Sequence, residues 1–79
     1  MAQFPVDVPI GKIIKIFELL EFSLVRKGNH VAMVRENADG TRTTMTMPNH
    51  RTIKGSTLRT ILTQTGISRA DFLEMYRKK

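Results

Sequence analysis

Between residues 22 and 47 the hydrophobic period changes from that of a helix to that of a strand, and this change constrains the fold most. Apolar side chains alternating at a period of two bury one face only as a strand, whereas those recurring at three and four do so only as a helix. In residues 41–47 the odd positions Thr43, Met45 and Met47 face one way and Arg42, Thr44 and Thr46 the other. That pattern predicts a half-buried antiparallel strand, ended by Pro48. Leu24 and Val25, then Val31, Met33 and Val34, supply two earlier strands. Gly28 and Asn29 tolerate positive φ, so residues 22–27 and 30–36 can pair as a tight hairpin, and Asn37-Ala38-Asp39-Gly40 makes the next reversal.

Helical spacing brackets this β region. Ile10, Ile13, Ile14, Phe17 and Leu20 form one stripe, widened by Ile16 and Leu19, with Lys12, Lys15, Glu18 and Glu21 opposite, which predicts an amphipathic helix over 10–21. Pro5 and Pro9 oppose an earlier start, so residues 1–9 read as an extended segment. Residues 48–55 read as a loop carrying His50, Arg51 and Lys54. Ser56 is then the expected N-cap of a second helix with Leu58, Ile61 and Leu62 inward and Gly66 at its end. Ser68 caps a third helix, with Asp71 three residues on, Ile67 positioned to staple against Phe72, and Phe72, Met75 and Tyr76 inward. The fold class is α+β, with helices covering one face of a small three-stranded antiparallel sheet.

A chain of 79 residues reads as one domain over 1–79 with a single small core, since only about 60% of the unfolded surface can be buried at this size. There is no cysteine for a disulfide or thiolate metal site. No apolar run approaches the ~20 residues of a membrane span, and residues 1–5 lack a signal-peptide pattern, so the expectation is a cytoplasmic protein with no membrane partner. The formal charge of +6 is concentrated: residues 22–61 carry seven Lys or Arg against Glu36 and Asp39, as well as both histidines. Nucleic acid is the polyanion that suits such a strip.

Gly28-Asn29-His30 resembles the Gly-Ser-His motif of HicA-type toxins. The similarity continues through the Asp39-Gly40 turn, the Thr-rich strand ending at Pro48, His50, Lys54-Gly55, Thr57-Leu58-Arg59, Ile61-Leu62, Gly66-Ile67-Ser68 and Phe72-Leu73, covering roughly residues 10–76 in order. Asn29 stands where that family has Ser, and Glu21 where it commonly has Gly at the end of the first helix. The resemblance implies a double-stranded-RNA-binding-domain-like α-β-β-β-α fold and an mRNA interferase of a type II toxin-antitoxin system. It also implies neutralisation by a HicB-type antitoxin, with His30 as the residue matching the family's active histidine.

The residues support this chemistry independently. RNA carries its own nucleophile, the 2′-hydroxyl, so cleavage needs a base, an acid and positive charge on the phosphate, with no metal or small-molecule cofactor. An imidazole titrating near pH ~6.5 can serve as base or acid, which makes His30 the catalytic candidate and His50 a possible second proton-transfer residue. Arg26, Lys27, Lys54 and Arg59 are the candidate phosphate ligands. Two other readings stand beside it. One is a non-catalytic RNA-binding module of the same fold. The other is a helix-turn-helix DNA binder built from the last two helices, which Asp71 and Glu74 on the would-be reading helix oppose.

Overall fold

The structure is a computed structural model that describes residues 7–78; the earlier part of the expected extended segment, Pro5 included, lies outside the described residues. In chain order the elements are β1 (Asp7–Pro9), α1 (Ile10–Leu19), β2 (Ser23–Lys27), β3 (His30–Glu36), β4 (Arg42–Pro48), β5 (Thr52–Lys54), α2 (Gly55–Thr65) and α3 (Arg69–Lys78). The main sheet is antiparallel in the order β2-β3-β4, while β1 and β5 form a separate two-stranded ladder. The α-β-β-β-α order is therefore present, with its last helical part divided in two. No described helix is long and apolar enough to cross a membrane.

Period-two patterning sets the faces of the sheet. Val31, Met33, Met45 and Met47 are buried in one cluster with Ile13, Ile16 and Phe17 of α1, Leu58, Ile61 and Leu62 of α2, and Phe72 of α3. Their neighbours Arg42, Thr44 and Thr46 are exposed on the other face. β2 is an edge strand, and all five of its residues are exposed, Leu24 at 44% and Val25 at 64%. A bulge between Leu24 and Arg26 leaves Val25 outside the register, a common device at sheet edges.

Helix α1 stops two residues earlier than its periodicity suggests. Glu21 adopts φ +75°, its N–H donates to the Glu18 carbonyl (3.0 Å) and the Phe22 N–H donates to the Phe17 carbonyl (2.8 Å). This is a Schellman closure with glutamate in the left-handed position that usually belongs to glycine. The accompanying apolar contact is made by the rings of Phe17 and Phe22, whose centroids lie 5.1 Å apart edge to face. Burial in α1 centres on Ile13, Ile16 and Phe17, so Ile16 is a core residue and Leu19, 49% exposed, is not part of the buried face.

The expected loop over 48–55 is partly a strand. Val8 pairs with Ile53 between β1 and β5, and both side chains are buried. Because β5 stays extended through Lys54, α2 begins directly at Gly55; Lys54 holds the N-cap position, with no side-chain cap, and Ser56 falls inside the first turn. Other boundaries follow the sequence. Gly66 closes α2 at φ +75°, and the Asp71 N–H donates to Ser68 Oγ (3.0 Å) at the start of α3. At the second reversal Gly40 adopts φ +89°, and the Thr41 hydroxyl and N–H donate to the Asp39 carboxylate, holding its pKa below the ordinary value.

Candidate functional site

His30 is the first residue of β3 and is exposed. Its Cα partner is Pro48 at the far end of β4, so it shares the solvent face of the sheet with Ala32, Val34, Thr44 and Thr46. β2 does not pair with His30: the last β2–β3 partners are Lys27 and Val31, leaving residues 28–30 as a three-residue connection.

That connection is not the positive-φ turn its residues suggest. Among the described residues left-handed backbone occurs only at Glu21, Gly40 and Gly66. Asn49 holds the turn instead. Its side-chain amide donates to the Gly28 carbonyl (2.7 Å), its backbone N–H donates to the Asn29 carbonyl (3.2 Å), and the Gly28 N–H donates to the His30 carbonyl (3.1 Å). A tertiary clamp from the segment after β4 therefore fixes the backbone on which the imidazole sits. Nothing in the spacing of residues 28–30 announces it.

Arg26 pairs with Ala32 and lies on the same face as His30, whereas Lys27, opposite Val31, lies on the other face of this edge strand. His50 follows the clamp, its N–H donating to the Pro48 carbonyl (2.9 Å). His50 and Lys54 line one hollow of about 460 Å³ together with Asp7, Pro48, Thr52, Ile53 and Thr57. Pro48 belongs both to this hollow and to the pair with His30, which makes the two regions adjacent. Arg59 stands apart, in a second surface hollow of about 530 Å³ on α2 with Ser56, Thr60, Thr63 and Gln64.

The cations divide by engagement. Arg42 pairs with Glu36 (3.3 Å), and Arg35 lies over the Phe22 ring and donates from Nε to Asn37 (3.2 Å). The side chains of Arg26, Lys27, Arg51, Lys54 and Arg59 make no hydrogen bond or ion pair within the described residues. Arg51 thus joins the candidates that the sequence singled out; its neighbour relation to β5 becomes visible only once β5 is recognised as a strand. Tyr76 is engaged, stacked on Phe72 with Lys12 Nζ 4.2 Å from its ring centroid, and Phe4, the other aromatic considered for base stacking, lies outside the described residues.

The family model described as the HicA toxin of bacterial toxin-antitoxin matches residues 10–67. No curated protein and no solved structure matches the chain. The matched span runs from the first residue of α1 through the whole main sheet, the Asn49 clamp and α2. With most of its length matched in this way, the chain belongs to the HicA family of toxins from bacterial toxin-antitoxin systems.

Proposed function

We propose that this toxin is an endoribonuclease, an mRNA interferase, in which His30 moves a proton while Arg26, Lys27, Lys54 and Arg59 hold RNA phosphates. The observation that carries the reading is the setting of His30: an exposed imidazole at a strand end, on a backbone tied down by Asn49 and beside an open basic surface. Deprotonation of the 2′-hydroxyl lets O2′ attack phosphorus; the P–O5′ bond breaks, and a proton delivered to O5′ completes the step. The products are a 2′,3′-cyclic phosphate and a free 5′-hydroxyl. His30 serves as base or acid, with His50 as the candidate for the complementary transfer, and unpaired cations stabilise charge on the phosphate in flight. The substrate supplies the nucleophile, so cleavage persists in chelator.

The partner in this reading is a HicB-type antitoxin whose acidic surface competes with RNA for the same strip, in the cytoplasm where mRNA is found. The test is His30→Ala, assayed for RNA cleavage and RNA binding on the same folded protein. Removing a positioned proton-transfer group costs about 10²- to 10⁴-fold in rate. Binding survives, because the cations supply most of the affinity. Undiminished cleavage by His30→Ala refutes the mechanism, RNA binding without cleavage by the parent protein favours the non-catalytic module, and preference for duplex DNA favours the helix-turn-helix alternative.

A further inference from the structure

We propose that the hollow between β1, β5 and the start of α2 is a nucleoside subsite that selects guanine through Asp7, an inference that rests on the RNA-cleaving reading of this toxin. The lining has the mixed character that a nucleotide requires. Ile53, 1% exposed, and Pro48 supply apolar lining, Thr52 and Thr57 offer hydroxyls, Lys54 offers a cation, and His50 also lines the hollow. At about 460 Å³ the hollow has room for one nucleotide.

Asp7 is the residue that phosphate binding does not explain. A carboxylate in a basic strip repels phosphate, and its Cα partner across the ladder is Lys54. Yet Asp7 makes no ion pair with Lys54 and accepts no side-chain hydrogen bond within the described residues. An ionised carboxylate is an acceptor with two oxygens and nothing to donate. Among the four RNA bases only guanine presents two neighbouring donors, N1–H and the N2 amino group, on its Watson–Crick edge. Adenine, cytosine and uracil each present one donor group there beside at least one acceptor, so each sets at least one lone pair against a carboxylate oxygen.

Position completes the argument. Pro48 is at once a wall of the hollow and the cross-strand partner of His30, so a base seated beside it brings its own phosphate toward the imidazole. Recognition of the Watson–Crick edge requires the base to be unpaired, so the subsite takes single-stranded RNA.

The experiment titrates the intact chain with GMP, AMP, CMP and UMP, followed by amide chemical shifts, and separately maps cleavage sites on RNA. GMP is expected to shift the amides of Asp7, Thr52, Lys54 and Thr57 and to bind about tenfold more tightly than the others, as one good bidentate base contact allows. Asp7→Asn keeps the side chain's shape but replaces an acceptor with a donor, and it should bring GMP down to the level of the other three. Guanine should be enriched beside the cleaved bond with the parent protein and not with Asp7→Asn. Equal binding of all four nucleotides, GMP selectivity unchanged in Asp7→Asn, or shifts confined to the outer sheet face would overturn the subsite. The nucleotide titration involves no bond cleavage: selective GMP binding without RNA cleavage retains the subsite and removes the nuclease reading, while cleavage without guanine selectivity does the reverse.

Discussion

Replacing Glu21 with glycine should stabilise the protein, and two positions with one dihedral angle allow the magnitude to be worked out. Glu21 and Gly66 both sit at φ +75°, each closing a helix. An L side chain in the left-handed region costs about 1–2 kcal/mol. Glycine gives back about 0.5–1 kcal/mol of that through the greater freedom of the unfolded chain. Glu21 is exposed, makes no side-chain hydrogen bond or ion pair within the described residues, and places a carboxylate at the negative end of α1, so its removal adds a few tenths of a kcal/mol. The net gain is about 1 kcal/mol, which in a domain this size raises Tm by roughly 4–8 °C. Gly66→Ala is the mirror experiment. A Cβ there meets nothing within 4 Å, so only backbone strain acts and Tm should fall. Thermal melts by circular dichroism, with urea midpoints at unchanged m, measure both variants. A lower Tm for Glu21→Gly, or an unchanged Tm for Gly66→Ala, would refute the assignment of strain to these closures.

Asn49→Ala removes the 2.7 Å amide bond to the Gly28 carbonyl and should cost about 1 kcal/mol in stability while lowering RNA turnover more than RNA affinity; turnover equal to the parent's would show that the clamp does not position His30. RNA affinity should fall with salt at a log-log slope of about −0.7 per phosphate contact, and Lys54→Ala or Arg59→Ala should flatten that slope; an affinity independent of salt would remove the electrostatic account. A complex with a HicB-type antitoxin should protect His30 or the neighbouring cations and suppress cleavage, and a purified complex that cleaves at the free-protein rate would exclude masking of this surface.

What the sequence discloses and what it withholds divide by the range of the interactions. The alternation of Met45 and Met47 with Thr44 and Thr46 fixes the inner face of β4, because burial acts on each residue according to parity alone. The Ser68 cap is equally legible, since a side chain and an N–H three residues on are local partners. Edge position is not local: Leu24 and Val25 read as apolar strand residues, and only the order β2-β3-β4 shows that they are exposed. The three-residue strands β1 and β5 are too short for any period to declare itself, and they exist because Val8 meets Ile53. His30, His50 and Lys54 could each be singled out in the sequence, but Asp7 and the grouping of these residues could not. The hollow that joins Asp7 to His50 and Lys54 exists only through the β1–β5 pairing.

The same long-range segment supports both halves of the site. Asn49 reaches back 21 residues to fix the turn before His30, and two residues later the Arg51 carbonyl accepts the Ile10 N–H (2.9 Å), tying this connection to the start of α1. Residues 52–54 then pair with β1, and Gly55 opens α2. Residues 48–54 therefore couple the placement of the imidazole to the shape of the adjacent hollow. A backbone change there, such as proline at Thr52, which faces Pro9 in the β1–β5 register, should disturb both nucleotide binding and turnover. A change confined to Arg59 on the separate α2 surface should weaken RNA binding while leaving that coupled geometry intact.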